Sequence, residues 1–391
     1  MDDKLAHLSK TQIEELIERY YNKEKVKSLI EEYEINARPS QLVKLFPPIV
    51  TKDVCPYCNV NLVIRHSSRD YHWSNRSATC PSCGHEENGL CWCTNCKEKE
   101  QLRAQIESQE KQELLNLLLH IDEDEKVDLD SVSFEDKIYL GAFLREGISE
   151  DFNFIRPIDS FDNPLAPTQE YASEVLEALR KKRLVIVHPD SDSEYFEDID
   201  IEARTFRFYP DKVKWALNLK KEGLNKVPLV DSLINPNYDV EPEESYRIWR
   251  RISLHEALEY FYHSVINVLG VEYSPGEKTI AVLNDLLNDY SVSQIYTIIY
   301  RSTNNALRFQ VEQGVSRKHA SNTIVGNAQN FAERAKVKKW DVQRYHRLRE
   351  LPESALSKFF FERILKIGYA GFNEKPRLIL TKENDKSNDQ F

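Results

Sequence analysis

The stretch Cys55–Cys96 decides how the first part of this chain folds. It reads Cys55-Pro-Tyr-Cys58, then Cys80-Pro-Ser-Cys83-Gly-His85, then Cys91-Trp-Cys93-Thr-Asn-Cys96, and it contains all seven cysteines of the 391-residue chain. Two cysteines separated by two residues bring their sulfurs to the same side of a tight turn, which Pro and Gly favour. Four such ligands satisfy the tetrahedral coordination of zinc. The spacing therefore predicts a small module that is folded around metal.

The number of ligands indicates one or two zinc ions. Seven cysteines cannot fill two four-ligand sites, but His85 supplies an eighth ligand. An interleaved arrangement, in which Cys93 and Cys96 close the first site, is left open by the spacing. Because four protein ligands leave no free coordination position, the expected role of the metal is structural. The simplest assignment places Cys55, Cys58, Cys80 and Cys83 on one zinc, and His85, Cys91, Cys93 and Cys96 on the other.

Disulfides and a redox-active pair are the alternative interpretations of the cysteines. Nothing like a signal peptide precedes them, so we expect a reducing cytoplasm, in which disulfides are disfavoured. A redox CxxC motif opens a helix after a strand, and a single pair would suffice for it. With these residues in place, the segment 51–97 resembles a zinc ribbon, a fold that serves many functions.

Composition limits the class of protein. No apolar run approaches the length of a membrane span, so we expect a cytoplasmic protein without a membrane partner. The net charge of −11 argues against nucleic acid coating the whole surface. Neither of the common glycine-rich phosphate-binding motifs is present in the sequence. The predicted fold class is mainly α with small β parts, divided into several domains.

Residues 1–50 show the pattern of a helix-turn-helix. Ser9 and Gln12 form a capping box, and two short runs of apolar residues at helical spacing follow. A third helix begins near Pro39 and ends before Pro47. Its exposed residues would read the major groove of DNA, whereas the alternative is a helical unit that only packs on the ribbon. The candidate DNA contacts here are Arg38, Gln41 and Lys44.

The segment between the two CxxC motifs mixes basic and aromatic residues. Asn61–Ile64 is predicted to be a strand, and the residues after it can stack on bases and contact phosphates. The alternative is that the aromatic residues form the small core of the ribbon. The candidate contacts are Arg65, Arg69 and Arg76, accompanied by His66, Tyr71, His72 and Trp73.

One catalytic interpretation starts in the same segment. Asp70-Tyr-His72, followed by Asn88 and the later cysteines, is similar to the His-Asn-His nucleases, which often carry CxxC pairs. The chain departs from that pattern because it has no adjacent Asp-His or His-His pair and no final His at helical spacing. A catalytic metal also needs open coordination positions. We therefore expect a protein without catalytic activity and keep the nuclease as a third hypothesis.

The middle of the chain predicts a charged helical connector over 98–130 and a winged-helix-like domain over 131–225. Ser133 and Thr168 are placed to cap two helices, and Leu184–Val187 and Thr205–Tyr209 are expected to pair as strands. The loop 190–202 between these strands holds seven acidic residues and no basic one. Phosphates would repel a loop of that charge, so we expect it to contact a protein partner.

Residues 226–375 predict a helical bundle, and 376–391 form a polar tail. Ser316 and Ser354 are placed to cap helices of this bundle. Within it, residues 301–350 carry eleven Lys or Arg against four acidic residues, a net charge of +7. A basic face of this kind can hold phosphates, although it can also be an ordinary solvated surface. The candidate contacts are Arg317, Lys318, Arg334 and Lys338.

These observations predict a zinc-containing, non-catalytic DNA-binding protein, either a regulator or the recognition subunit of a larger assembly. The combination of modules is similar to that of DNA-recognition proteins of bacterial mobile elements and phage-defence loci. A protein-interaction adaptor is the alternative, because zinc ribbons and winged helices also serve as docking modules. The expected partners are DNA and a protein bound at 190–202, and a second copy of the chain is a further candidate.

Overall fold

The computed structural model describes residues 3–69, 77–87, 91–120, 125–200, 203, 205–272 and 276–378. The described chain is mainly helical with four two-stranded sheets, which confirms the predicted mainly-α class. It divides into two compact units, Met1–Lys111 and Gln112–Phe391. Within the described residues, no helix is both long enough and apolar enough to cross a lipid bilayer.

Three short helices open the first unit and enclose a core of their own. The predicted capping box is present, because the Ser9 hydroxyl accepts a hydrogen bond from the backbone N–H of Gln12 and the Gln12 side chain accepts one from the backbone N–H of Ser9. The third helix is short, a single 3-10 turn over Pro39–Gln41 that continues into four α-helical residues. The helix is short because Pro47 prevents it from continuing past Leu45. The helices are α1 (Lys10–Tyr21), α2 (Val26–Glu32) and α3 (Leu42–Leu45).

A small ribbon follows the helices in the same unit. Strands β1 (Ile49–Val54) and β2 (Asn61–Ile64) pair antiparallel, and Val63 also bridges to Thr79. The strand predicted over Asn61–Ile64 is confirmed. The described core of the ribbon is very small, which agrees with a module that cannot fold on apolar burial alone. That core consists of Cys55, Leu62, Ala78 and Cys80.

The ribbon packs against the three helices. The Tyr21 hydroxyl donates to the carbonyl oxygen of Ser67 at 3.0 Å, and it lies 3.2 Å from the Nδ1 atom of His66. The His66 ring also meets the Phe46 ring edge-to-face, at 5.5 Å between centroids. Helices and ribbon therefore form one compact unit. The helix α4 (Thr94–Leu118) begins directly after Cys93 and contains Cys96.

The described residues of the second unit form ten α-helices and six strands, with several shorter 3-10 and π turns. As predicted, Ser133, Thr168, Ser316 and Ser354 cap the starts of four of these helices. The strands are β3 (Val127–Asp128), β4 (Val185–Val187), β5 (Phe196–Asp200), β6 (Thr205–Phe208), β7 (Trp215–Leu217) and β8 (Leu219–Lys220). The helices are α5 (Phe134–Gly147), α6 (Gln169–Lys181), α7 (Lys226–Ile234), α8 (Pro242–Ser264), α9 (Glu277–Leu286), α10 (Val292–Gln313), α11 (Arg317–Ser321), α12 (Ile324–Val337), α13 (Ala355–Phe359) and α14 (Ala370–Asn373).

The strand pairing predicted for the winged-helix-like region is wrong. β4 pairs with β7, so that Val187 lies opposite Trp215, and β6 pairs with β5 instead. Trp215 is completely buried, and this burial favours the pairing of its strand with the apolar β4. The described strands of this region therefore form separate two-stranded sheets.

The acidic segment 190–202 is not entirely a loop, because it contains a 3-10 turn over Ser193–Tyr195 and the strand β5. Phe196 on β5 is buried in the core, while Glu197 and Asp198 next to it are exposed. Arg207 on β6 forms ion pairs with both of these acidic residues. The run of charges therefore marks the solvent side of a half-buried strand, and a basic residue of the same hairpin offsets part of its charge. Residues 201 and 202 lie outside the described residues.

The second unit contains two hydrophobic cores. The first core crosses the boundary predicted between the winged-helix-like domain and the helical bundle at 225/226. In this core, α7, the start of α8 and α13 pack with α5. Gly141 on α5 permits this close packing, since a Cβ atom there would lie 2.3 Å from the Phe359 ring. The second core is formed by the end of α8 with α9, α10 and α12. Residues 379–391, most of the predicted polar tail, lie outside the described residues.

Candidate metal centre

The first four predicted ligands lie together in the ribbon. The sulfur atoms of Cys55, Cys58, Cys80 and Cys83 are all within 4.8 Å of one another. The Sγ atoms of Cys55 and Cys83 are 3.7 Å apart. A tetrahedral ion with bonds of about 2.3 Å to sulfur requires separations of about 3.8 Å, so this group has the size of a zinc site.

The local sequence explains why the two CxxC turns match each other. In the first turn the N–H of Asn59 donates to the carbonyl of Cys55, and in the second the N–H of Gly84 donates to the carbonyl of Cys80, at 3.1 and 2.9 Å. Asn59 and Gly84 both have positive φ, 55° and 70°. Asn and Gly adopt this left-handed conformation most readily. Each turn therefore directs its two sulfurs toward the same point.

The second four predicted ligands also lie together. Ligand atoms of His85, Cys91, Cys93 and Cys96 are all within 4.8 Å of one another. The Nδ1 atom of His85 is 3.2 Å from the sulfur of Cys96 and 3.9 Å from that of Cys93. Cys96 belongs to the first turn of α4, so this group also fixes the start of that helix.

The structure separates the two arrangements that the spacing left open. Cys93 and Cys96 lie with His85 and Cys91, and not with the first group of cysteines. The two groups follow each other directly, because His85 comes two residues after Cys83. All seven cysteines are free thiols. The described ribbon can therefore hold two metal ions, one in each group.

Backbone N–H groups favour the thiolate form of two of these cysteines. Burial opposes ionisation of Cys91, but the N–H groups of Glu86 and Cys93 donate to its sulfur at 3.1 and 3.4 Å. Together they lower the pKa of the Cys91 thiol to about 6. Burial likewise opposes ionisation of Cys80, while the N–H groups of Cys83 and Ser82 lower its pKa to about 7. Thiolates are the form of cysteine that binds metal.

Tyr57 lies beside the second group. Its hydroxyl is 3.4 Å from the sulfur of Cys96, and its ring meets the His85 ring edge-to-face with centroids 5.1 Å apart. Contacts of this kind around the ligands orient them and limit their access to solvent. Two groups of sulfur and nitrogen donors with ordered backbone turns are thus the principal chemical feature of the described N-terminal unit.

No family model, no curated protein and no solved structure matches this chain. The ligand groups and the charged surfaces of the chain itself are therefore the features from which its function can be inferred.

The three predicted DNA contacts of the helical part are all exposed. Arg38, Gln41 and Lys44 are spaced three residues apart and are all exposed, whereas Leu42 and Leu45 between them are buried. The structure therefore leaves these polar side chains accessible. Arg38 precedes the 3-10 turn, Gln41 ends it and Lys44 belongs to α3, so the helical part is shorter than the sequence pattern indicates.

The arginines of the ribbon segment differ from one another. Arg65 directly follows β2 and is exposed. Arg69 donates from Nη1 to the carbonyl oxygens of Tyr20 and Glu24, at 3.2 and 2.6 Å, and its guanidinium carbon lies 5.2 Å from the centre of the Tyr20 ring. Arg69 therefore joins the ribbon to the end of α1 and is not a free surface cation. Arg76 lies outside the described residues, as do Asp70, Tyr71, His72, Trp73 and Asn88.

The four predicted contacts of the second unit are exposed. Arg317 and Lys318 begin α11, while Arg334 lies near the end of α12 and Lys338 follows that helix. Within the part of the chain that the structure describes, none of the four forms an ion pair with a carboxylate within 4.0 Å. Their charges are therefore not offset by neighbouring acidic side chains.

Sequence reasoning missed Trp92, which lies between the ligands Cys91 and Cys93. Its side chain is 78% exposed, the largest exposed aromatic surface of the described first unit. The available signal was its position, because a bulky side chain between two ligands of one small turn has no interior to enter. Exposed indole rings are common where a protein meets a base or another protein.

Proposed function

We propose that the chain is a non-catalytic DNA-binding protein whose N-terminal unit folds around two structural zinc ions. The observation that carries this proposal is the presence of two complete groups of four sulfur or nitrogen donors, each within 4.8 Å. Zinc is the metal that prefers such tetrahedral donor sets. Because protein atoms fill all four positions, neither ion has a position for a water or a substrate.

The DNA-binding part of the proposal rests on accessible cations beside this metal-folded module. Arg38, Gln41 and Lys44 are exposed in the helical part, and Arg65 is exposed on the ribbon. Arginine and lysine contact phosphates, and amide side chains such as that of Gln41 can read base edges. The four exposed cations around α11 and α12 would add a second phosphate-binding surface, in a region with a net charge of +7.

Binding of fluorescent duplex DNA to the zinc-loaded chain, measured by anisotropy at several salt concentrations, tests this proposal. We expect log affinity to fall linearly with log salt, with a slope that corresponds to several phosphates. The double variant Arg38→Ala/Lys44→Ala should reduce this slope by roughly 2, since each phosphate contact contributes about 0.9. The matched control Lys10→Ala/Lys27→Ala removes two exposed lysines of α1 and α2 and should leave the slope unchanged.

The absence of DNA binding at low salt, in a chain that contains two zinc ions, would overturn the DNA-binding part of the proposal alone. Such a result would favour the second candidate function, a protein-interaction adaptor. One observation supports that candidate: Ile49, Val50 and Val54 on β1 are 43%, 66% and 50% exposed. Within the described residues, β1 pairs with another strand on one side only. Exposed apolar side chains on such an edge strand are typical of a protein-binding surface. Elemental analysis that finds no zinc would overturn the metal part.

A further inference from the structure

A cavity of about 450 Å³ lies between α10 and the chain segment 340–350. This segment, here called the strap, has no regular secondary structure. Three hydrogen bonds hold it against α10: Tyr345 N–H to the Ser293 carbonyl at 2.8 Å, Thr297 Oγ1 to the Gln343 carbonyl at 2.8 Å, and Gln294 Nε2 to the Val342 carbonyl at 3.0 Å. These hydrogen bonds hold the two walls of the cavity together, and largely pre-formed walls are usual for small-molecule sites.

The cavity is strongly basic. Arg301, Arg344 and Arg347 line it together with His346, and no Asp or Glu is among its described lining residues. Arg347 is neutralised from behind by the buried Glu256, at 2.8 Å. Within the described residues, neither Arg301 nor Arg344 forms an ion pair within 4.0 Å. The Arg301 guanidinium lies 5.4 Å from the centre of the Phe331 ring, and the Nε atom of Arg344 donates to the Asn373 carbonyl at 3.3 Å. Both arginines line the cavity without a carboxylate partner among the described residues, an arrangement suited to phosphate.

Aromatic rings form another part of the wall. Tyr300 and Tyr345 are stacked, with ring centroids 5.6 Å apart and an angle of 29° between the planes. Both remain substantially exposed, at 45% and 37%. Exposed tyrosine rings beside arginines provide a stacking surface for a nucleobase. Phosphate and base can thus be bound at the same place.

From this geometry we propose that the cavity binds a nucleotide, with its phosphate between Arg301 and Arg344 and its base against Tyr300 and Tyr345. The ligand can be a free nucleotide or one nucleotide of a DNA strand, since both present the same phosphate and base. This site is separate from the DNA contacts proposed for the first unit and does not depend on them.

Isothermal titration calorimetry of the full zinc-loaded chain tests the proposal, with deoxyadenosine 5′-monophosphate, deoxyadenosine and inorganic phosphate as ligands. We expect the monophosphate to bind more tightly than deoxyadenosine. The variant Arg301→Ala/Arg344→Ala should weaken it at least about tenfold, because it removes two charge-assisted contacts. Arg308→Ala/Arg349→Ala is the matched control, because both arginines are exposed on α10 and the strap outside the cavity lining, and it should retain binding.

Tyr345→Ala separates stacking from charge. It should weaken binding of the monophosphate by about fivefold or more and leave that of inorganic phosphate within about twofold. The backbone N–H of Tyr345 is retained, so the strap keeps this hydrogen bond to α10. If the unfolding midpoint shows that Arg301→Ala/Arg344→Ala is not folded, Arg301→Lys/Arg344→Lys provides the second variant. This variant keeps the positive charges but loses the bidentate hydrogen bonding of the guanidinium groups, and it should weaken binding of the monophosphate several-fold.

Oligonucleotides identify the source of the ligand. If a single-stranded oligonucleotide binds about tenfold more tightly than the monophosphate and is equally sensitive to Arg301→Ala/Arg344→Ala, the ligand is part of a strand. Equal affinities would identify a free nucleotide. The proposal is overturned if no ligand binds, if deoxyadenosine binds as tightly as its monophosphate, or if both double arginine variants behave alike. Duplex affinity that depends on Arg38 and Lys44 is measured independently of these outcomes.

Discussion

The Nη2 atom of Arg347 donates to the Oε1 atom of Glu256 at 2.8 Å. Glu256 on α8 is completely buried, and the Arg347 side chain on the strap is only 13% exposed. The hydroxyl of Ser357 donates to the same carboxylate oxygen at 2.9 Å, and the Arg347 guanidinium lies over the ring of Phe372. This ion pair therefore anchors the strap to the interior of the second unit.

Removal of the buried carboxylate should destabilise this unit strongly. Glu256→Gln leaves the Arg347 charge in the interior without its partner, which typically costs about 3–5 kcal/mol. Denaturant unfolding followed by circular dichroism measures the change. The control is Glu174→Gln, which breaks the more exposed pair with Arg251 and should cost less than about 1 kcal/mol. Equal losses in the two variants would contradict the anchoring role.

The pH dependence of stability should include a contribution from Glu259. Burial and, to a lesser extent, the charge of Glu256 raise the pKa of Glu259 from 4.5 to about 8. The folded protein therefore holds a proton that the unfolded chain releases above pH 4.5. The stability from Glu259 is complete below about pH 4.5 and is lost as the pH rises through about 8.

Unfolding free energies of the wild type and of Glu259→Gln, measured between pH 5 and pH 9, test this contribution. The variant should show a smaller decline across that range, because its amide does not titrate. Glu243→Gln, an exposed position on the same helix, should retain the wild-type decline. A decline of the same size in all three proteins would show that Glu259 is already ionised in the folded state.

Loss of one ligand should remove one zinc ion. We expect two zinc ions per chain by elemental analysis, and one in either Cys83→Ser or Cys96→Ser, because the two cysteines belong to different groups. A strong chelator should unfold the first unit, since its ribbon has a core too small to persist without metal. Proteolysis should then cleave the ribbon first and leave Gln112–Phe391 resistant. Loss of both ions in each variant would instead indicate one shared site.

The variants Arg65→Ala and Arg69→Ala should have different effects, although both arginines belong to the same ribbon segment. Arg69→Ala removes two hydrogen bonds to backbone carbonyls and should lower the stability of the first unit by about 1–3 kcal/mol. Arg65→Ala should leave stability unchanged and weaken DNA binding. Thermal unfolding and anisotropy titration of both variants make the comparison. A stable Arg69→Ala protein with weakened DNA affinity would instead indicate that Arg69 contacts DNA.

Features that depend on neighbouring residues were predictable from the sequence. The caps at Ser9, Ser133 and Thr168 are present because a serine or threonine needs only the next turn of chain to bond its backbone. The choice of the seven cysteines and His85 as candidate metal ligands follows in the same way from their spacing and from the turn at each CxxC pair. The strand Asn61–Ile64 was likewise evident from its short apolar run.

Features that depend on distant partners were not predictable. The choice of β7 over β6 as the partner of β4 depends on how completely Trp215 is buried, and many separate contacts decide that. The role of Arg69 depends on carbonyl groups more than forty residues earlier in the chain. The nucleotide-sized cavity has the same origin, since Arg344 and Tyr345 meet Tyr300 and Arg301 only after the strap packs on α10.

The sequence by itself determined which residues are candidate metal ligands, where the helices capped by Ser9, Ser133, Thr168, Ser316 and Ser354 begin and which segments carry excess charge, because each of these is a property of a short stretch of chain. The tertiary structure alone decided which ligands lie together, which arginines form no ion pair within the described residues and where a basic cavity forms. These outcomes require residues far apart in sequence to come together, and the burial of apolar side chains throughout each unit selects their final positions.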